Sequence, residues 1–211
     1  MKLPCVILAG GQSSRMGGGD KGLLPFMGKP LLAHVLARIA PQCGDILLNT
    51  NSDPRRFRIF GMPIAGDVTS GFLGPLAGLL TGLRWARAQG AGSLVSVPCD
   101  TPFLPRDLVA RLAEARARSG ARIAIAADGM RSHPVIGLWD VTLAERLEED
   151  LRQGTRAIYR WLAAFPVHEV DFAASHFQNI NTPQDLQTAG ITGGEMRTGA
   201  PEWRQSAAAN I

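Results

Sequence analysis

The chain has 211 residues, 45% of them hydrophobic, with 22 Lys and Arg against 18 Asp and Glu and a net charge of +4; that suits one globular domain burying about 70% of its unfolded surface. The arginines are scattered, the chain has one tyrosine and no aromatic–basic repeat, so an anionic small molecule accounts for the charge as well as nucleic acid does. No stretch approaches the roughly 18 apolar residues of a membrane helix. Three widely spaced cysteines, Cys5, Cys43 and Cys99, contain no CxxC pair, which argues against a disulfide framework or a zinc site and for a reducing cytoplasm.

The apolar run Cys5–Leu8 predicts a first strand. With Lys2 ahead of it the run has the outline of a signal peptide, but it is too short for one. It opens onto a loop holding six glycines: Gly10, Gly11, Gly17, Gly18, Gly19 and Gly22. Glycines admit φ > 0 and let backbone N–H groups approach a ligand that a Cβ would hold off. Arg15 and Lys21 set two cations in that loop, and Asp20 a carboxylate, which is the equipment of a triphosphate cradle. A bare Gly-rich surface loop is the competing reading.

Two better-known phosphate motifs fail on context. Residues 17–22 match G-x-G-x-x-G, yet they begin nine residues beyond the apolar run rather than at its turn. Lys21 is followed by Gly22, where a P-loop requires Ser or Thr. Lysine usage favours the cradle, because Lys2, Lys21 and Lys29 are the chain's only lysines and two of them fall in or beside the loop. An ammonium is a compact charge that can follow a phosphate, whereas a guanidinium is a planar fork.

Apolar runs then alternate with helical spacing. Residues 31–40 predict a helix introduced by Pro30, 45–49 a second strand followed by the turn cluster Asn51-Ser52-Asp53-Pro54, and 62–65 a third short strand. A helix over 76–89 is entered through Gly74-Pro75, 94–97 form a buried strand, and 105–119 a helix closed by Gly120. Residues 123–126 and 135–139 read as strands around Asp128-Gly129; helices over 143–151 and 156–164 and a strand over 167–172 follow. Asn181 opens a last short helix. The expected organisation is one domain over 1–190 and a disordered tail over 191–211. Alternating strands and helices predict an α/β fold, a mostly parallel sheet with helices on both faces and one antiparallel strand near Asp128.

In open α/β sheets ligands bind beyond the carboxyl ends of the strands. Gly10, Asn49, Asp67 and Asp100 each follow or end one of the first four strands. Asn49 can equally open a turn, and Asp67 cap a helix. Asp100 is the stronger candidate: an apolar strand runs into Pro98-Cys99-Asp100-Thr101-Pro102, whose prolines stiffen the backbone around the carboxylate. A stiffly held carboxylate suits Mg²⁺, which takes few protein oxygens and shares the rest with phosphates. The alternative is a helix N-cap, for which Asp107 and Thr101 also offer themselves.

Together these segments resemble the nucleotidyltransferases that act on molybdopterin, and among them the guanylyltransferases. The resemblance is carried, in order, by Leu8-Ala9-Gly10-Gly11 through Arg15 to Asp20-Lys21-Gly22, by Gly74-Pro75-Leu76-Ala77-Gly78, by Pro98 to Pro102, by His133-Pro134 and by Asn179-Ile180-Asn181-Thr182-Pro183. It spans residues 4 to 189. The cytidylyl-transferring relatives typically carry Ala-Ala-Gly where this chain has Leu8-Ala9-Gly10.

The resemblance implies a Rossmann-like three-layer αβα nucleotidyltransferase fold and transfer of GMP from GTP to molybdopterin or its molybdenum complex, with release of pyrophosphate. It implies GTP binding by Leu8, Ala9, Gly10, Gly11, Lys21, Asn49, Asp67 and Asp100, Mg²⁺ on Asp100, charge neutralisation by Arg15 and Lys21, and molybdopterin contacts from Asn179 and Asn181. A cytoplasmic location and transient contact with molybdenum cofactor insertion or delivery proteins go with it; nucleic acid and membrane do not. The nucleophile would be a phosphate monoester, largely dianionic at pH 7, so no side-chain general base is required. His133 reads as a packing or substrate-contact residue rather than a proton carrier. The alternative is a nucleotidyltransferase with another nucleotide or acceptor, cytidylyl or sugar phosphate. A dinucleotide oxidoreductase would need an acidic residue where Asn49 ends strand two.

Overall fold

A computed structural model describes residues 2–10, 19–69, 74–180 and 185 of the chain. After β1 (Cys5–Leu8) comes a two-residue hairpin, β2 (Pro25–Phe26) and β3 (Lys29–Pro30), then α1 (Leu31–Ile39), β4 (Ile46–Asn49) and β5 (Ile64–Ala65). The second half holds α2 (Pro75–Ala88), β6 (Ser93–Pro98), α3 (Leu108–Ser119), β7 (Ile123–Ala127), β8 (Ser132–Asp140), α4 (Ala144–Arg152), α5 (Ile158–Leu162) and β9 (Val167–Asp171).

The helix boundaries follow from local chemistry. Gly74 precedes α2 at φ 68°, ψ −159°, a conformation that a side chain disfavours, and Pro75 takes the first helical position, where its missing N–H costs nothing. Gly120 ends α3 in the left-handed region, its N–H bonded to Arg116 O. Where the spacing predicts α3 from residue 105, the helix begins at Leu108; Pro105 instead closes a turn by accepting from Leu108 N. Asp107 makes no capping hydrogen bond and lies 3.9 Å from the Arg111 guanidinium.

Seven strands form one sheet in the order β5-β4-β1-β6-β8-β7-β9, and among the described residues β8 alone runs antiparallel to its neighbours. Side chains alternate across this sheet, and the alternation makes two cores. Cys5 and Ile7 point into one, with Leu32, Val35 and Ile39 of α1 and Leu108 and Leu112 of α3. Val6 points into the other, with Leu76, Leu80 and Leu83 of α2, Leu147 of α4 and Trp161 of α5. Burial on both faces explains why β1 reads as an unbroken apolar run.

The chain thus crosses from β1 through α1 to β4 and β5, then returns through α2 on the opposite face to β6 on the other side of β1. The connections diverge between β1 and β6, a switch point that opens a crevice beyond the strand ends. The helix expected after Asn181, apart from Asp185, and the tail expected from residue 191 lie outside the described residues.

Candidate active site

Strand register sets the site. Leu8 stands beside Asn49 on one side and Pro98 on the other, and Asn49 beside Ala65. Ala65, Asn49, Leu8 and Pro98 therefore form one row across four parallel strands. The residues that turn away beyond the row, Asp67, Asn51, Gly10 and Asp100, line a cleft of about 470 Å³.

At the β4–β5 end the cleft wall is a closed polar network. Asn49 is 2% exposed and donates through Nδ2 to Asp67 Oδ1 at 3.0 Å. Asn51 donates to Asp67 Oδ2 at 2.8 Å, and its Oδ1 accepts the Asp67 N–H at 2.8 Å. Both Asp67 oxygens are thus held in place. Asp67 caps no helix; the residue before α2 is Gly74. The network needs Gly78 on α2, where a Cβ would lie 2.2 Å from Asn49 Oδ1.

At the β6 end, Lys21 Nζ donates to Asp100 Oδ2 at 2.5 Å, with both side chains about five-sixths buried. Lys21 begins a 3₁₀ turn over Lys21–Leu23. Asp20, just before it, is nearly buried and pairs with the Arg56 guanidinium, tying the lysine's loop to the segment that follows Asn51. Asp100 is braced behind: Ile180 N donates to its carbonyl at 2.9 Å, and Thr101 Oγ1 donates to Asn179 Oδ1 at 2.9 Å. Cys99 is no nucleophile, since burial, reinforced by the Asp100 charge, pushes its thiol up to about 12.

The far wall comes from the start of β8. His133 lines the cleft with Arg131, Ser132 and Tyr159, and its Nε2 lies 2.9 Å from Asp128 Oδ2. That hydrogen bond is the main cause holding the Asp128 carboxyl down at about 2, aided by the N–H groups of Arg131 and Met130.

Among the described residues no three His, Cys, Asp or Glu side chains converge as a metal cage. Asp100 offers a different fit. The residue lines the cleft, and among the described residues its Oδ1 has only a 3.4 Å contact with Thr101 Oγ1, which leaves that oxygen capacity for an ion shared with a bound phosphate.

Of the residues singled out from sequence, Leu8, Gly10, Asn49, Asp67, Asp100 and Asn179 line this one cleft, and Lys21 reaches it through Asp100. Ala9 is buried and contributes backbone, its N–H bonded to Asn49 O at 2.8 Å. Gly11, Arg15 and Asn181 lie outside the described residues. Sequence reading missed Asn51, which it spent on a turn, and the Asp128–His133 pair. The Asn-x-Asn spacing at a strand end was the available signal for Asn51.

Comparison with known proteins bears on the chemistry. Residues 5–169 match the model of the family described as MobA-like NTP transferase domain. The molybdenum cofactor guanylyltransferase of Rhodopseudomonas palustris is 47% identical over 196 residues, 88% of this chain and 91% of that protein. The protein of the same name from Shewanella amazonensis is 42% identical over 189 residues, 89% of this chain and 95% of its own length. The solved structure of molybdopterin-guanine dinucleotide biosynthesis protein A from Archaeoglobus fulgidus, 23% identical, shares the fold with a TM-score of 0.74 over 92% of this chain and all of that one. With a glycine-edged cleft at the switch point of such a sheet, the chain belongs to the MobA-like NTP transferases, in the family of the molybdenum cofactor guanylyltransferases.

Proposed function

We infer that the protein transfers GMP from GTP to the terminal phosphate of molybdopterin or its molybdenum complex, forming molybdopterin guanine dinucleotide and pyrophosphate. One observation carries the reading. Along a single row of strand ends, the Asn49–Asn51–Asp67 network on β4 and β5 is separated by β1 from the Lys21–Asp100 pair beside β6. Two strand spacings are about 10 Å, the reach of a nucleoside from its base to its α-phosphate. The names of relatives at 42–47% identity supply guanosine as the nucleotide and molybdopterin as the acceptor.

Backbone at Leu8, Ala9 and Gly10 borders the nucleoside, with Gly11 continuing the same loop. A carboxylate can accept about four hydrogen bonds, so Asp67, with two taken by the asparagines, keeps acceptor capacity for the N–H donors on a guanine edge. Lys21, already drawn to Asp100, stands where the phosphates arrive, and Arg15 adds a second cation. Asp100, together with the substrate phosphates, would hold Mg²⁺, which when bound neutralises phosphate charge and steadies the leaving pyrophosphate.

The reaction is a displacement at phosphorus. An oxygen of the acceptor's terminal phosphate attacks the α-phosphorus, the bond from that phosphorus to the β-phosphate oxygen breaks, and pyrophosphate leaves. The attacking group is a dianion at pH 7, so the protein's work is positioning and charge stabilisation rather than proton removal. Asn179 and Asn181 serve the acceptor, the first already seated beside Asp100 through Thr101. Three buried, unpaired cysteines fit a cytoplasmic enzyme. Isotope placement tests the reaction: label on the α-phosphate of GTP should appear in the pterin product and label on the γ-phosphate in pyrophosphate. Transfer of γ-label to the pterin would overturn the reading.

A further inference from the structure

We propose that the start of β8 is the acceptor-phosphate subsite, in which His133 and Arg131 hold the terminal phosphate that attacks GTP and Asp128 positions both. The inference rests on the guanylyl-transfer reading above and adds residues to the acceptor side of that site.

Position comes first. β6 and β8 pair antiparallel with Ser93 beside Asp140 and Ser96 beside Gly137. Beyond Gly137 β8 bulges, its pairing with β7 passing from Ile125–Gly137 to Ala126–His133, and His133 reaches the cleft that Asp100 lines. Because β8 runs backwards, its first residues share a sheet edge with the last residues of β6, β1 and β4. Along that edge the order is Asp67, Asn49, Gly10, Asp100, His133. With the base at the β4–β5 end and the phosphates at Asp100, the β8 side of the cleft is left to the acceptor, and His133 lines it.

The chemistry agrees. An acceptor dianion must approach both a triphosphate and the Asp100 carboxylate, which repel it. Among the described residues lining the cleft, Arg131 and, when protonated, His133 are those that carry positive charge, and both lie on this wall. A guanidinium beside an imidazolium N–H is a natural phosphate ligand pair.

The wall is also built to hold its geometry. Asp128 Oδ1 accepts the N–H groups of Met130 and Arg131 at 3.1 and 3.0 Å, which suffices to close the hairpin turn. Its Oδ2 is then left for His133 Nε2 at 2.9 Å and stands 3.7 Å from Arg131 Nε. On its face, the imidazole lies against the buried Phe177 ring, with centroids 4.4 Å apart. The carboxylate accepts the Nε2–H, and Nδ1, which has no hydrogen bond among the described residues, is the atom that donates to a phosphate oxygen when the ring is an imidazolium. Tyr159, also in the cleft lining, braces the same strand, its OH donating to Ser132 O at 2.9 Å.

Steady-state kinetics on the full-length protein, varying molybdopterin at saturating GTP and then the reverse, test the subsite. His133→Ala should raise the KM for molybdopterin about tenfold, the loss of a hydrogen bond to a charged group, while leaving the KM for GTP within about twofold. Arg131→Ala should raise the molybdopterin KM about threefold or more with the same selectivity. His133→Gln, which keeps a side-chain N–H, should recover part of the loss. The proposal is overturned if both alanine variants leave the molybdopterin KM within about twofold, or if the two KM values rise together. Should His133→Ala fail to show a GTP-dependent thermal shift and so prove misfolded, Arg131→Ala decides by the same criteria, since its side chain is 70% exposed. Wild-type protein giving no molybdopterin-dependent pyrophosphate with any nucleotide would overturn the guanylyl reading itself; an active wild type with unaffected variants overturns only the subsite.

Discussion

Gly78 leaves room for the Asn49 amide that no other residue would, for a Cβ at position 78 would stand 2.2 Å from Asn49 Oδ1. Gly78→Ala should therefore push the amide off Asp67 and weaken GTP binding about tenfold, near 1.4 kcal/mol. The same Cβ would meet Leu8 Cδ2 at 2.8 Å, so stability falls too, offset in part by alanine's better helix propensity, worth up to about 1 kcal/mol. Gly82, one turn further along α2, supplies the contrast. A Cβ there would meet Leu94 and Val6 at 2.8 Å inside the core, so Gly82→Ala should cost about 1–3 kcal/mol of stability by overpacking. Calorimetric GTP titration beside urea denaturation of each variant separates the two effects; equal loss of binding in both would contradict the distinction.

Lys21 and Asp100 are expected to fail differently. Lys21→Ala removes a cation from the developing phosphate charge and should lower kcat about 10²- to 10³-fold, about 2.7–4 kcal/mol. Asp100→Asn should abolish turnover and, in addition, remove the Mg²⁺ dependence of GTP binding. Stopped assays over a Mg²⁺ series check both. Less than a tenfold loss for Lys21→Ala, or retained Mg²⁺ dependence in Asp100→Asn, would remove that residue from its role.

Asn51 should matter more than an exposed turn residue does. Asn51→Ala deletes two hydrogen bonds with Asp67 and releases its Oδ2, leaving Oδ1 on Asn49. GTP affinity should fall about fivefold, roughly 1 kcal/mol, with unfolding stability changed by less than about 0.5 kcal/mol. Unchanged GTP affinity would leave Asn51 as turn chemistry alone.

Acid should expose the Asp128–His133 bond. The Asp128 carboxyl is held at about 2, below its ordinary 3.8, chiefly by the His133 hydrogen bond. A carboxylate whose folded-state pKa is depressed stabilises the fold above its unfolded value and loses that contribution as pH falls through the folded one. Wild type should therefore exceed Asp128→Asn in stability at pH 5, with the gap closing between about pH 4 and pH 2. Urea midpoints across that range measure it, and a gap independent of pH would contradict the assignment.

Much of this arrangement is legible in the sequence, and what is not has physical causes. β1 is read residue for residue because burial on both faces leaves only apolar side chains in it. Asn49 and Asp100 stood out because a buried strand ran straight into a polar group. The β2–β3 hairpin escaped because two-residue strands have no periodicity, and its turn rests on Met27 at φ 46° beside Gly28 rather than on Asn-Gly. β8 begins at Ser132, three residues before its apolar run, since Ser132 and His133 face the cleft and the register with β7 shifts between Ile125 and Ala126. His133 was noticed as a residue but not as part of a pair, because its partner Asp128 is reached across a hairpin turn whose Asp-Gly composition already accounts for it.

The central claim is guanylyl selectivity, and pyrophosphate release tests it most directly. With molybdopterin and Mg²⁺ present, GTP, CTP and ATP are supplied in turn and the initial rates compared. Release with GTP about tenfold or more faster than with either alternative, and dependent on molybdopterin, is the predicted result; equal rates for the three, or a faster rate with CTP, would contradict it.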